Sequence, residues 1–162
     1  MNKMVSMRRN SVILEEPKNK EKRVKVIVLN ESKTPDSLHK VEKRCAVTPS
    51  SAQRLIKKGA SIILEAGAGL LSGYSDKEYE GVGVAVINDV NDSISSADML
   101  VAVNKPSEAQ LALLKKGAIV VGHLDPFFQQ PLVESMAEKQ LTAISVEMIP
   151  RSSRAQKMDA LS

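Results

Sequence analysis

The side chains best equipped for chemistry in this sequence stand where apolar runs give way to polar ones. The closing stretch PRSSRAQKMDALS, residues 150–162, brings together Arg151, Arg154, Gln156 and Asp159. Guanidinium forks, an amide and a carboxylate suit gripping a polar ligand that carries a ribose, an amide or phosphates, more than attacking one. Gln156 and Asp159 are three apart, so a helical turn there puts them on one face. An ordinary solvated helix start is the competing account. In HLDPFF, His123 and Asp125 stand two apart at the end of an apolar run, a pair that suggests acid–base work, although a histidine at a strand end is more often structural. Arg44 in EKRCAVTP precedes a helix start, where it could clamp a carboxylate or phosphate through two parallel hydrogen bonds. An ion pair with Glu42 or Glu31 is its rival role. Asn104 in VNKP either faces a ligand or stops a strand and caps the next element. Gly67 and Gly69 in EAGAGLLSGYSD follow a strand, but no third glycine has the offset of a nucleotide fingerprint, so they read as turn glycines. No His/Cys cluster has metal-ligand spacing, and no nucleophile–base set stands out.

Elements must place these residues, and the apolar pattern supplies them. VKVIVL (24–29), SIILEAG (61–67), VAVI (84–87), MLVAVN (99–104), AIVVGHL (118–124) and LTAISVEMI (141–149) read as strands, the last of them buried. Between them, TPSSAQRLIKKG has Thr48 as a cap, Pro49 at the first helical position and Gly59 as the stop, with Ala52, Leu55 and Ile56 on one face. SEAQLALLKKG (107–117) repeats that helix with the same Lys-Lys-Gly ending, and QPLVESMAEKQ (130–140) is a looser copy. SDKEYEGVG reads as a short capped helix, and NDVNDSISSAD as a polar connection. Apolar strands alternating with amphipathic helices predict a doubly wound α/β domain. Its sheet is mainly parallel with helices on both faces, Rossmann-like or flavodoxin-like. Ligands approach such sheets at the carboxyl ends of the strands, where all the residues above lie.

Composition narrows the class. At 162 residues, 43% hydrophobic and 26% charged, one globular domain is the default. The formal charge of +4 is concentrated at the start: eight Lys or Arg against three Glu in the first 25 residues. Residues 1–23 therefore read as a basic extension, 24–149 as the α/β domain, and 150–162 as a site loop leading to a next helix. With 2% aromatic residues there are few platforms for stacking bases, so a nucleic-acid partner is not expected. Cys45 is the sole cysteine, which excludes an intramolecular disulfide and fits a reducing compartment. No apolar run is long enough to cross a bilayer, and the start lacks the apolar core of a secretory signal.

EKRCAVTP, KKGASIILEAGAGLLSGYSDKEYEGVG, VNKP and above all IPRSSRAQKMDALS resemble the N-terminal part of the alpha subunit of proton-translocating NAD(P) transhydrogenase, over roughly residues 24 to 162. That family is related to alanine dehydrogenase. The resemblance implies that Arg151, Gln156, Asp159 and Ser162 contact NAD(H) and hold its nicotinamide for direct hydride transfer. It also implies NADP(H) on a partner component, a membrane component, and possible homodimerisation. The expected place is the cytoplasmic face of a bacterial inner membrane or the mitochondrial matrix. Alanine dehydrogenases carry a substrate lysine where this chain has Asn104, and their catalytic histidine aligns with Asp125; only Arg44 matches their carboxylate-binding arginine. An alanine-dehydrogenase-type fragment is thus the second reading, and a non-catalytic domain that kept the fold the third. The family pattern departs in two places. SKTPDSLHKV makes the first loop longer by about six residues, an inexpensive surface insertion. Ser152 also stands where an isoleucine-like residue is usual. A glycine-fingerprint half is expected beyond Ser162, and residues 1–162 alone are expected to be inactive and to bind NAD weakly or not at all.

Overall fold

The computed structural model describes residues 23–33, 41–150, Ser152 and Ala155. Eleven regular elements alternate along the chain: β1 (Val24–Val28), α1 (Pro49–Lys57), β2 (Ala60–Glu65), α2 (Asp76–Gly81), β3 (Ala85–Ile87), α3 (Asn91–Ile94), β4 (Met99–Val101), α4 (Glu108–Leu113), β5 (Ile119–Gly122), α5 (Gln130–Glu138) and β6 (Thr142–Ser145). The strands form one sheet in the order β3-β2-β1-β4-β5-β6, and every pairing is parallel. The expected doubly wound α/β fold is present, with a sheet parallel throughout.

Alternation along β1 shows why both faces are covered. Val26 and Val28 enter a core with Ile62, Leu64, Ala52 of α1 and Tyr79 of α2. Ile27 and Leu29 enter a second core with Leu100, Val120, Ile94 of α3, Leu111 of α4, and Leu132 and Met136 of α5. Fully burying one such aliphatic side chain contributes about 1.5–3 kcal/mol, so the two layers rather than helix propensity hold the short helices in place.

The helix starts follow their caps. Thr48 Oγ1 accepts the Ser51 N–H with Pro49 in the first turn, and Ser75/Glu78 and Ser107/Gln110 form capping boxes. Ser107, not Asn104, caps α4.

Four expectations need correction. The helix over 107–117 stops at Leu113, although its Lys-Lys-Gly ending matches that of α1. Leu114 is pulled into the core in extended conformation (φ −65°, ψ 142°), and the Lys115 ammonium is held by Asp98 at 2.6 Å. The run 141–149 is not one buried strand. It divides into β6, an edge strand whose first three residues are exposed, and a 3-10 turn over Val146–Met148. Position in the sheet decides this, because β6 has a neighbour on one side only. The connection after β3 contains α3, anchored by Val90 and Ile94, both buried and four apart. Leu55, expected on the buried face of α1, is 38% exposed.

Candidate functional site

At the carboxyl ends of the strands, the order of the sheet reverses between β1 and β4, where doubly wound folds open a crevice. Here the crevice is bridged by the protein's own side chains. Glu31, just past β1, accepts the backbone N–H groups of Val103 (2.6 Å) and Asn104 (2.7 Å), just past β4. Glu42, on the segment leading into α1, accepts four hydrogen bonds. Its Oε1 takes Arg44 Nε (2.8 Å) and the Arg44 backbone N–H (2.9 Å), and its Oε2 takes Arg44 Nη2 (2.8 Å) and Asn104 Nδ2 (2.8 Å). Of the two roles open to Arg44, the structure shows the ion pair with Glu42.

Charge states follow from these contacts. The Arg44 hydrogen bonds hold the Glu42 carboxyl at about 2, well below the usual carboxylate range, while Glu42 raises Arg44 in turn. Burial pushes Glu31 up; the N–H groups of Val103 and Asn104 only partly offset this, and the Glu42 charge adds to it.

Next to this crevice, Asn30 is a buried polar residue that ties β1 to β2. Its Nδ2 donates to Ala66 O (2.7 Å), its Oδ1 accepts from Ser32, and its N–H donates to Glu65. Glu65 also pairs with Lys33 at 2.8 Å. The glycines that follow β2 are structural, as expected. Gly67 has φ +81°, and its N–H donates to Asp76. A Cβ on Gly69 would lie 2.6 Å from the Tyr79 ring. Tyr79 is fully buried, and its hydroxyl donates to Val47 O.

Such a crevice is ill suited to a pyrophosphate. Glu31, Glu42 and Glu65 line it, the Arg44 fork is committed to Glu42, and α1 begins only at Pro49, far from the end of β1. A dinucleotide needs backbone N–H groups of a helix start at that point, so the described residues do not fit that part of the cofactor.

The ends of β5 and β6 form a second cluster. His123 does not pair with Asp125, contrary to the acid–base possibility. Its Nδ1 lies 3.7 Å from Glu147 Oε2. Glu147 Oε1 accepts the Asp125 N–H (2.5 Å) and the Ser145 hydroxyl (2.7 Å), fixing Asp125 at φ +49°. Burial pushes the Glu147 carboxyl up, but the Ser145 and backbone hydrogen bonds, with His123, outweigh it and leave it lowered. Sequence reasoning missed Glu147 and Ser145; an acidic residue inside the otherwise apolar LTAISVEMI was the available signal. Arg151, Gln156, Asp159 and Ser162 lie outside the described residues, as does Arg154. Among the described residues no group of three or more His, Cys, Asp or Glu side chains could hold a metal ion, and no helix is long and apolar enough to cross a membrane.

Known proteins share both this sequence and this fold. The family "Alanine dehydrogenase/PNT, N-terminal domain" matches residues 27–162. The first of the separately encoded pieces of NAD(P) transhydrogenase subunit alpha from Rickettsia prowazekii (strain Madrid E) is 40% identical over 127 residues, 76% of this chain and 33% of the relative. NAD(P) transhydrogenase subunit alpha of Cereibacter sphaeroides is 38% identical over 128 residues, 79% of this chain and 24% of the relative. The chain therefore spans a third or less of the length of these curated relatives. Among solved structures, the transhydrogenase of Sinorhizobium meliloti superposes with a TM-score of 0.75 at 33% identity, covering 85% of this chain and 37% of that one. An L-alanine dehydrogenase superposes with a TM-score of 0.69 at 28% identity, covering 80% of this chain and 34% of that one.

Proposed function

The chain belongs to the alanine dehydrogenase/PNT N-terminal domain family, and from that premise we propose that it is the N-terminal portion of the NAD(H)-binding component of an NAD(P) transhydrogenase. The observation that carries this reading is its likeness to transhydrogenase alpha subunits over three quarters of the chain. The crevice favours it over the alanine dehydrogenase alternative. A keto-acid pocket requires Arg44 to meet the substrate carboxylate, and here Arg44 and Asn104 both meet Glu42.

In this reading the α/β domain is a frame that presents residues 150–162. Arg151, Gln156, Asp159 and Ser162 hold the nicotinamide end of NAD(H), and a partner component carries NADP(H). Bound NADH supplies the hydride. The chain's residues supply orientation and polar contacts, with no acid or base required. The adenosine diphosphate half needs a cradle that the switch crevice lacks, so residues 1–162 alone are inactive and bind NAD weakly at most. In the complete assembly the domain is peripheral to a membrane component, on the cytoplasmic face in a bacterium or in the mitochondrial matrix. It works as a homodimer, with hydride transfer coupled to proton translocation.

The test uses the complete NAD(H)-binding protein with its NADP(H)-binding component. Gln156→Ala and Asp159→Asn are expected to slow single-turnover hydride transfer by about tenfold or more while NADH affinity changes far less. Full transfer rates in both variants would refute the site. Micromolar NADH binding to residues 1–162 in a calorimetric titration would refute the statement that they are incomplete. Pyruvate-dependent NADH oxidation by the complete protein would favour the alanine dehydrogenase reading.

A further inference from the structure

The four donors around Glu42 form a receptor of a specific shape. Each carboxylate oxygen accepts two N–H groups: Arg44 Nε and the Arg44 backbone on Oε1, Arg44 Nη2 and Asn104 Nδ2 on Oε2. The planar guanidinium fork meets both oxygens, a geometry that matches a carboxylate. The donors come from opposite sides of the switch crevice, Arg44 from the segment before α1 and Asn104 from the end of β4. The Arg44 side chain is 64% exposed and that of Glu42 14%, so the carboxylate is seated inside while the fork reaches solvent.

We propose that this is a carboxylate-binding site whose resident occupant, Glu42, sets what the crevice admits. With Glu42 seated, free carboxylates are turned away; without it, a small monocarboxylate such as acetate or a 2-oxo acid takes its place on Arg44 and Asn104. A carboxylate tethered two residues from its guanidinium outcompetes a free one, because the tether supplies a high effective concentration. Glu31 gives the vacated site its charge preference. Its carboxylate acts electrostatically on both Glu42 and Arg44, so a monoanion restores the present charge balance, whereas a dianion such as phosphate adds repulsion. The inference goes beyond the hydride-transfer reading and does not depend on it, and no nucleotide enters its test.

The experiment follows thermal unfolding of the full chain in chloride, acetate or phosphate at matched ionic strength, with the Arg44 Nε–H signal recorded by NMR. Wild type, Glu42→Ala and Glu42→Ala/Arg44→Ala are compared. Acetate is expected to raise the Tm of Glu42→Ala by several degrees over chloride and to shift its Arg44 Nε–H signal saturably. Wild type and the double variant should respond to none of the salts selectively. The proposal is overturned if Glu42→Ala is as indifferent to acetate as wild type. A phosphate effect as large as acetate's, or an equal acetate response in the double variant, would overturn it too. If Glu42→Ala folds only in acetate, that recovery supports it. If it folds in neither salt, Glu42→Gln, which keeps an acceptor for Arg44 and loses only the charge, is titrated under the same criteria.

Discussion

The switch crevice and the β5–β6 end stand on the same side of the sheet and are built from the same kinds of groups, yet they are finished differently. In the crevice, Glu42 has each oxygen taken twice, and Glu31 ties β4 to the segment after β1. At the β5–β6 end, Glu147 anchors Asp125 and Ser145 through Oε1, while its buried Oε2 has no hydrogen-bond partner among the described residues. The first cluster uses its polar capacity to close the fold. The second retains capacity beside the chain that runs on toward residues 150–162. Closure of the usual ligand crevice and openness at the neighbouring end are what a domain needs if it presents a site rather than contains one.

Three sets of substitutions probe that contrast. The largest effect is expected on the crevice side, where Gly69→Ala puts a Cβ 2.6 Å from the Tyr79 ring. Overpacking there should cost about 1–3 kcal/mol in a urea titration, and an unchanged midpoint would show that the glycine loop is not wedged against α2. Glu147→Ala should cost about 1–2 kcal/mol by stripping the Asp125 N–H of its acceptor, and the Asp125 amide should exchange faster with deuterium. Unaltered exchange would mean that Glu147 does not hold the turn.

The smallest effect is a dependence on acid. The Glu42 carboxyl lies below its unfolded value of 4.5, so its contribution is present above that pH and fades as pH falls toward about 2. Glu31 has the opposite sign: its raised carboxyl favours the folded state when protonated, and that contribution is lost as pH rises through its folded value. Glu42→Gln should therefore flatten the acid limb of the stability profile and Glu31→Gln should not. Equal flattening by both would erase the distinction drawn between them.

Much of the frame was legible because its signals are local. Thr48-Pro49 before α1, Gly59 after it, and Ser107 with Gln110 each state a helix boundary within a few residues. The features that escaped depended on distant neighbours. The ends of α1 and α4 carry the same three residues, but only the second is cut short, because Leu114 and Lys115 find a core and Asp98 waiting. The apolar composition of β6 suggested burial that its edge position denies. Arg44 was readable as one of two roles, with Glu42 two residues away to settle it. The hub at Glu147 was not, since its donors are a hydroxyl and a backbone amide delivered by turns.

The outermost position of β6 has a practical consequence. A parallel sheet ending in an uncovered strand presents a row of backbone groups to which another chain can add. Four residues, Thr142–Ser145, make that rim short. Preparations of this domain by itself should therefore be watched for slow edge-to-edge association, and a lysine in place of Ile144, 42% exposed on that rim, is the natural change to keep them dispersed.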